Sequence, residues 1–323
     1  MIHCDRPIEY EAQPLSDIGE GILDDWRRLV RDNAIFSSPF FAPGYTQLVG
    51  SCLGDVMVGL LRQEGRVVGI FPYEWERDGH ARPVGSIFCD YQGVIVGPDI
   101  HWTAEGMLTK LGVESYRFDH MLSSQHQWRK FVQVRDVSWS INLSDGYEAY
   151  EVDLRSAKRM QIADVRRQRR MIEKEVGALS FSPHEVDHGL LDLMLGWKSA
   201  QWARSGWVGR FTADWEHRLM HRLLETAQPD FAGLFSILRC SGRPVAMHLG
   251  MRSAHTWHYW TTAYDQEFKR YSPGLIMLAE MIRHAPGLGL EELDMGKDGF
   301  KYKRRLHTHT VQLAEGVATR CNG

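Results

Sequence analysis

The last sixty residues of the chain hold the side chains whose types and spacing are best suited to chemistry. A predicted strand, Thr256–Tyr264, leads to Ser272-Pro273-Gly274, and an apolar-periodic helix follows. Serine is a good N-cap and proline suits a first helical turn, so the glycine amide is left free at the positive end of the helix dipole. Such an end suits an anion such as a pyrophosphate. An ordinary capped helix without a ligand explains the same residues, and the segment alone leaves both interpretations open.

An internal repeat shows which elements position this segment. Residues 61–69 (LRQEGRVVG) match residues 238–246 (LRCSGRPVA), and each copy predicts a β-hairpin around a tight glycine turn. Further along, Asp119 in the first copy takes the place of Asp294 in the second. The sequence therefore predicts a tandem duplication of one α/β unit, with domains at residues 1–150 and 151–323.

Composition limits the classes of function. The chain has 323 residues, 43% of them hydrophobic and 24% charged, with a net charge of −3. This balance disfavours strong attraction to nucleic acid or a membrane surface. The sequence offers no apolar run of spanning length and no signal-peptide core near its start, and its five cysteines are scattered without a C-x-x-C pair. We expect a cytoplasmic protein in a reducing compartment.

The element order predicted for the second copy is β-α-α-β-β-β-α-β-α-β, which resembles the GNAT acyltransferase fold. The C-terminal motifs are similar to those of the acetyltransferase family associated with cellulose biosynthesis, a relative of the Fem-type aminoacyltransferases with tandem GNAT-like domains. The resemblance is carried by GRPVA (242–246), AYD (263–265), YSPG (271–274), Asp294 and Tyr302-Lys303. It implies a protein of mixed α/β (α+β) class. Its two tandem GNAT-like domains would have mixed, largely antiparallel sheets. One departure is GKDGF (296–300), where the family usually has a glycine and an acidic residue.

The resemblance also implies a donor and the residues that serve it. Acetyl-CoA, or another acyl-CoA, would bind the second domain without a metal, with its pantetheine arm between the fourth and fifth strands. Tyr302 would protonate the leaving thiolate, and Asp294 would orient or deprotonate the amine, with His258 as a further candidate base. A turn residue, a core aromatic and a structural histidine remain the alternatives for Asp294, Tyr302 and His258. The residues expected to bind the cofactor are Tyr271, Ser272, Pro273, Gly274 and Lys303.

Acceptor recognition is expected from both domains. The first copy keeps the hairpin but lacks Ser-Pro-Gly, so we interpret it as a degenerate domain that shapes the acceptor pocket. There Asp90 and Tyr91 are predicted to face the domain interface. In the second domain the predicted acceptor-binding residues are Lys198, Gln201, Tyr264 and Asp265.

Two features suggest other partners and are set aside. His217 and His221 stand one helical turn apart, but the sequence shows no third ligand at useful spacing, so no metal is expected. The basic stretch 155–174 is interpreted as a solvated linker helix, which makes tRNA an unlikely partner and gives no reason to expect DNA.

The predicted function is N-acyl transfer, with acetyl as the expected group, to an amino sugar or a polysaccharide or cell-envelope precursor. Peripheral association with envelope machinery is a further expectation. One alternative is a Fem-like, tRNA-dependent aminoacyltransferase. Another, suggested by the altered 296–300 segment, is a catalytically silent binding or regulatory protein of exopolysaccharide assembly.

Overall fold

The computed structural model describes residues 7–156, 161–204 and 213–320. The chain divides into a first unit, residues 1–138 with 311–323, and a second unit, residues 139–310. In the first unit the elements are β1 (Glu9–Pro14), α1 (Glu20–Arg31), α2 (Pro43–Leu53), β2 (Val56–Gln63), β3 (Arg66–Trp75), β4 (His80–Arg82), β5 (Ile95–Val96), α3 (Ala104–Lys110) and β6 (Ser115–Leu122).

The remaining elements begin with a strand that leads from the first unit into the second. They are β7 (Val132–Asn142), α4 (Gly146–Ser156), α5 (Gln161–Glu175), β8 (Leu179–Ser182), α6 (His188–Arg204), α7 (Asp214–Glu225), β9 (Ala232–Cys240), β10 (Arg243–Arg252), β11 (Thr256–Tyr264), α8 (Pro273–His284), β12 (Glu292–Asp294), α9 (Lys301–Leu306) and β13 (His309–Thr319). The last strand carries the chain back into the first unit.

Within each unit the strands pair in a mixed and largely antiparallel pattern, as predicted. The first unit has the strand order β1-β2-β3-β4-β6-β13, and β5 pairs with β3. The second unit has the order β7-β12-β11-β10-β9-β8. Only the β4–β6 and β11–β12 pairs are parallel among these neighbours in the described part of the chain.

The chain passes from the first unit to the second within β7 and returns within β13. The units therefore do not end where the sequence placed the boundary, at residue 150. Residues 140–142 of β7 pair with β12, which ties them to the second unit. Conversely, β13 pairs antiparallel with β6, from Leu313 opposite Leu122 to Thr319 opposite Ser115. Strand pairing therefore sets the boundary, and the predicted element order of the second copy is confirmed although its last strand lies in the first unit.

The apolar run over residues 85–96 predicts a strand from the sequence, and this prediction is wrong over most of its length. Gly85 and Ser86 have φ of 81° and 48°, a left-handed turn that no strand contains. Further along this segment, the Gln125 side chain accepts from the Val94 amide at 3.0 Å and donates to the Val94 carbonyl. A buried apolar run resembles a strand in sequence, yet here a glutamine side chain replaces the strand partner.

The sequence also predicts a long polar helix over residues 156–175, which contains most of the basic stretch, and this prediction is confirmed only in part. Helix α5 covers its second half, whereas Ser156 is the last residue of α4. Residues 157–160 lie outside the described ranges.

Each unit has its own hydrophobic core. In the second unit Trp257 of β11, Leu293 of β12 and Met277 of α8 are fully buried in one cluster, which holds these three elements together. The described cysteines Cys52, Cys89 and Cys240 are buried and form no disulfide. Within the described ranges, no helix has the length and apolar character needed to cross a bilayer.

Candidate active site

Strands β11 and β12 run side by side for only three residues. The parallel register pairs Thr256 with Glu292 and ends with His258 opposite Asp294. Strand β12 stops there, whereas β11 continues to Tyr264. The two strands therefore separate just after a pair of titratable side chains, and ligands of mixed α/β sheets commonly bind where parallel strands end.

His258 and Asp294 form a buried pair at this point of separation. Their side chains are 0% and 2% exposed, and His258 Nδ1 lies 3.5 Å from Asp294 Oδ2. The other carboxylate oxygen, Oδ1, accepts from the Gly296 amide at 2.7 Å. The turn role and the chemical role considered for Asp294 are thus compatible, since each uses a different oxygen.

A third buried group, His248 of β10, was missed by the sequence analysis. The β10–β11 register shifts between Leu249 and Met251, and His248 Nε2 accepts from the Trp260 amide at 3.2 Å within this bulge. Burial lowers the pKa of His248 well below its usual value, and the nearby charges of His258 and Lys198 act in the same direction. Neutral His248 is the form that can accept this hydrogen bond. The only sequence signal was a lone histidine within an apolar strand.

Tyr302 of α9 contributes a phenol close to β11. Its ring stacks on Phe300, with centroids 6.0 Å apart and planes at 13°. Burial raises the pKa of Tyr302, and the negative charges that Tyr259 and Asp298 can carry raise it further. Burial also raises the pKa of Tyr259 to about 12, and the Tyr259 ring stacks on His248 at 4.7 Å. Both phenols therefore stay protonated near neutral pH and can donate a proton.

Helix α8 begins without a side-chain cap, which corrects the expected capping role of Ser272. Ser272 has φ of 53°, and its side chain makes no capping hydrogen bond. Instead, its carbonyl accepts from the amides of Leu275 at 2.9 Å and Ile276 at 3.2 Å. Because Pro273 has no N–H, the Gly274 amide is the donor of this turn with no acceptor among the described backbone bonds.

The approach to Gly274 is open. A Cβ built there would meet only Tyr264 Cδ1, at an ordinary contact distance of 3.7 Å. The helix end, the Gly274 amide and the half-buried Tyr264 ring thus lie together at the end of β11. A helix N-terminus with a free amide suits an anionic group, so the residues fit the pyrophosphate that the sequence analysis assigned to them.

Two of the other residues predicted to bind the cofactor, Tyr271 and Lys303, are hydrogen-bonded to other parts of the protein. Tyr271 is buried, and its hydroxyl donates to Glu175 Oε2 at 2.9 Å. Lys303 is also buried, and its ammonium donates to the backbone carbonyls of Gly296, at 3.3 Å, and Lys297. In this arrangement Lys303 holds the 296–300 loop rather than a phosphate.

Among the predicted acceptor residues of the second unit, Lys198 and Gln201 lie on α6, whereas Asp265 follows β11. Lys198 reaches from α6 to the Thr262 carbonyl of β11, at 3.0 Å. Gln201 is half-buried, one turn further along α6. Asp265, by contrast, caps the turn after β11 by accepting from the Glu267 amide at 3.0 Å, and it pairs with Arg243 at 2.5 Å.

In the first unit, Asp90 and Tyr91 take different positions. Asp90 is partly exposed and lies 3.9 Å from His120 Nε2. Tyr91 is buried, and its ring packs on Phe40 and Phe41 with centroids 6.4 and 6.2 Å away. Any direct contact with an acceptor is therefore expected from Asp90, because the Tyr91 ring belongs to the core.

A cavity of about 220 Å³, which no sequence pattern had indicated, also lies in the first unit. Its polar and basic lining comes from Ser123, Gln125, His126, Arg129 and Arg135. The described ranges contain no ion pair for either arginine, so this lining suits an anionic ligand.

Comparison with known proteins places these observations in a family context. Residues 158–304 match the acetyltransferase (GNAT) domain family. No curated protein sequence matches the chain.

Solved structures share the fold over most of the chain. The C-terminal domain of a protein assigned as a lysylphosphatidylglycerol synthetase from Agrobacterium fabrum has a TM-score of 0.57 at 12% identity, covering 94% of this chain and 93% of that one. FemX has a TM-score of 0.55 at 10% identity, covering 84% and 90%. A tandem GNAT protein from the clavulanic acid biosynthesis pathway has a TM-score of 0.51 at 11% identity, covering 98% and 100%.

These findings confirm the coarser part of the resemblance. The second unit contains the segment that matches a GNAT acetyltransferase domain, and the chain has a fold shared with tandem GNAT and Fem-type proteins. At identities this low the structural likeness concerns the fold alone, and the link to cellulose biosynthesis stays a prediction. The chain is thus a GNAT-fold protein whose second unit carries the candidate active site.

Proposed function

We propose that the protein is an N-acyltransferase that moves an acyl group from an acyl-CoA to an amine. The observation that carries this proposal is the separation of β11 from β12 at His258 and Asp294, with β11 leading to the open helix end at Gly274. The second unit thus combines a strand whose parallel neighbour ends early, a helix terminus suited to an anion and buried acid–base groups. A thioester donor with a pyrophosphate needs all three.

The chemistry requires one bond to form and one to break. The neutral amine attacks the thioester carbonyl, the C–N bond forms, and the C–S bond then breaks to release a thiolate. We assign Tyr302 the role of giving that thiolate its proton, because its phenol lies beside β11 and is protonated near neutral pH. The phenol regains a proton from solvent after product release.

The amine must also lose a proton. His258 and Asp294 are too deeply buried to touch a substrate, so we assign them the acceptance of this proton through an intervening water and its return to solvent after product release. Their pairing favours a positively charged His258 once the proton arrives, because the carboxylate of Asp294 lies beside the ring. Neutral His248 supports the site by holding the β11 bulge.

The proposed acceptor is an amino sugar carried on a polysaccharide or cell-envelope precursor. The basic cavity of the first unit supports this class, because sugar precursors are commonly carried on a phosphate or diphosphate, which arginine binds well. Acetyl is the proposed acyl group, by resemblance.

Charged tRNA is the alternative donor, and the charge distribution disfavours it. On α5, Arg166 pairs with Glu151 and Arg169 pairs with Glu280. Part of the basic stretch is therefore neutralised within the protein, and the net charge of the chain is −3. A tRNA-binding surface would need many unpaired cations.

A transfer assay tests the proposal. The full chain is incubated with acetyl-CoA and a panel of amino sugars, nucleotide-linked amino sugars and simple amines, and products are read by mass spectrometry while free thiol is measured. We expect an acetylated product and one equivalent of thiol per product. Transfer from aminoacyl-tRNA in a parallel reaction, with none from acetyl-CoA, would replace the proposal with the Fem-like alternative. Absence of transfer from either donor would favour the silent binding protein.

A further inference from the structure

Helices α6 and α7 bring together a set of metal-ligand side chains that the sequence spacing did not reveal. One ligand atom from each of Asp192, His217 and His221 lies within 4.8 Å of the other two. His217 and His221 are one turn apart on α7, and Asp192 on α6 supplies the third ligand that the sequence lacked. Two histidines and a carboxylate form a ligand set of the kind that zinc prefers.

Two further side chains, His188 and Glu225, extend this cluster through hydrogen-bond contacts. His221 Nε2 lies 2.9 Å from Asp192 Oδ1, and His221 Nδ1 lies 2.7 Å from His188 Nδ1. His188 Nε2 in turn lies 3.0 Å from Glu225 Oε1. These contacts form a continuous chain from Asp192 through His221 and His188 to Glu225.

A cation between His221 Nε2 and Asp192 would satisfy every one of these contacts. His221 Nδ1–H would then donate to His188, and His188 Nε2–H would donate to Glu225. This is the usual support of a metal-bound histidine, whose second ring nitrogen is held by an outer partner and ultimately by a carboxylate.

We infer that Asp192, His217 and His221 bind one divalent cation of the zinc class, with His188 and Glu225 as positioning residues. Ligand atoms of a tetrahedral zinc site lie about 2.0–2.2 Å from the metal, so side-chain rotation must draw atoms that now lie within 4.8 Å of one another around the ion. Water completes the coordination, because Asp192 and His217 are exposed. The ion would join α6 to α7, and α6 also carries Lys198, which bonds to β11.

The site is tested on the full chain, stripped with EDTA and dialysed, by calorimetric titration with ZnCl₂. The variants are His217→Ala and His221→Ala, and the matched control is His101→Ala, an exposed histidine of the first unit. We expect one equivalent of Zn²⁺ to bind wild type and control, and at least a tenfold loss of affinity in the two α7 variants. His188→Ala is expected to cost about tenfold, as for other outer partners of metal ligands.

A second readout is the melting temperature, which Zn²⁺ should raise for wild type and control but not for the α7 variants, because only a bound ligand shifts it. Circular dichroism of the stripped variants verifies that each is folded. Failure of wild type to bind Zn²⁺ would overturn the inference. It would be overturned equally by binding that survives in both α7 variants, or by Mg²⁺ binding as tightly as Zn²⁺.

Discussion

In each unit a helix follows the β-hairpin, and the N-termini of the two helices differ in capping. In the first unit the helix is α3, seven residues long, and its N-cap Thr103 accepts from the Gly106 amide at 3.1 Å. In the second unit it is α8, twelve residues long, with no side-chain cap and an amide at Gly274 that is open to approach. The first helix end is capped by the side chain of Thr103, whereas no side chain caps the second.

Asp119 and Asp294, which take equivalent places in the two copies, also differ in burial. Asp119 has a 46% exposed side chain and pairs with His120 at 3.0 Å, while it accepts from Gln92. Asp294 is 2% exposed and sits between His258 and the turn amide of Gly296. We therefore interpret the second copy as the one that carries the acyl-transfer site, and the predictions below test that contrast.

The largest expected effect is on turnover, in Tyr302→Phe. General acid catalysis contributes about 10²–10⁴-fold, so kcat should fall by that order while the phenyl ring keeps its packing. The measurement is steady-state thiol release with the best acceptor, and Tyr147→Phe, another half-buried tyrosine of the second unit, is the control. A Tyr302→Phe protein that melts early but keeps full turnover per folded molecule would make Tyr302 a core residue.

A smaller effect is expected from Asp90→Asn in the first unit. If Asp90 holds a polar group of the acceptor, losing its charge should lower kcat/KM for that acceptor by about tenfold, with the affinity for acetyl-CoA unchanged. The exposed Asp78→Asn serves as control. Loss of acetyl-CoA binding in Asp90→Asn would instead make the first unit the donor domain and invert the assignment.

The buried His248 predicts how stability depends on pH. Its pKa is lowered in the folded protein, so the unfolded chain binds a proton first as the pH falls. Stability should be complete above about pH 6.5 and decline below it, with this one group contributing up to about 1.4 kcal/mol per pH unit. His248→Gln can still accept from the Trp260 amide and should flatten the decline in urea titrations between pH 7 and 5. An identical slope in the variant would mean that other groups cause it.

The smallest expected effect is a difference in unfolding free energy between variants at the N-termini of α3 and α8. Thr103→Ala should cost about 1 kcal/mol of stability because it removes an N-cap hydrogen bond. Ser272→Ala should change the unfolding free energy by less than about 0.5 kcal/mol, since the Ser272 side chain caps nothing. Urea unfolding measures both. Equal costs at the two positions would remove the contrast between a closed and an open helix end.

The sequence predicted the elements better than the contacts between them. Hairpins, the strand Thr256–Tyr264 and the helix after Pro273 follow from local turn chemistry and periodicity, and all are confirmed. The strand exchange between units escaped prediction because it depends on which edges pair over long separations. Local periodicity also failed for residues 85–96, where a distant glutamine bonds the backbone.

The sequence indicated which residues could form the candidate site, but it was less informative about their hydrogen-bond partners. The Ser272–Gly274 segment, Asp294 and Tyr302 were found by motif, whereas Lys303 proved to hold a loop. His248 and Asp192 were missed because each gains its meaning from a neighbouring element. Spacing along one chain segment cannot reveal such partners.

Calorimetry with acetyl-CoA tests the central contrast most directly. Gly274 and Gly21 both stand at the second position of a helix, and a Cβ at Gly21 meets nothing within 4 Å. We expect wild type and Gly21→Val to bind one equivalent, and Gly274→Val to lose at least about tenfold in affinity because the side chain blocks approach to the helix end. Equal affinity in Gly274→Val, or no binding by wild type, would contradict the account.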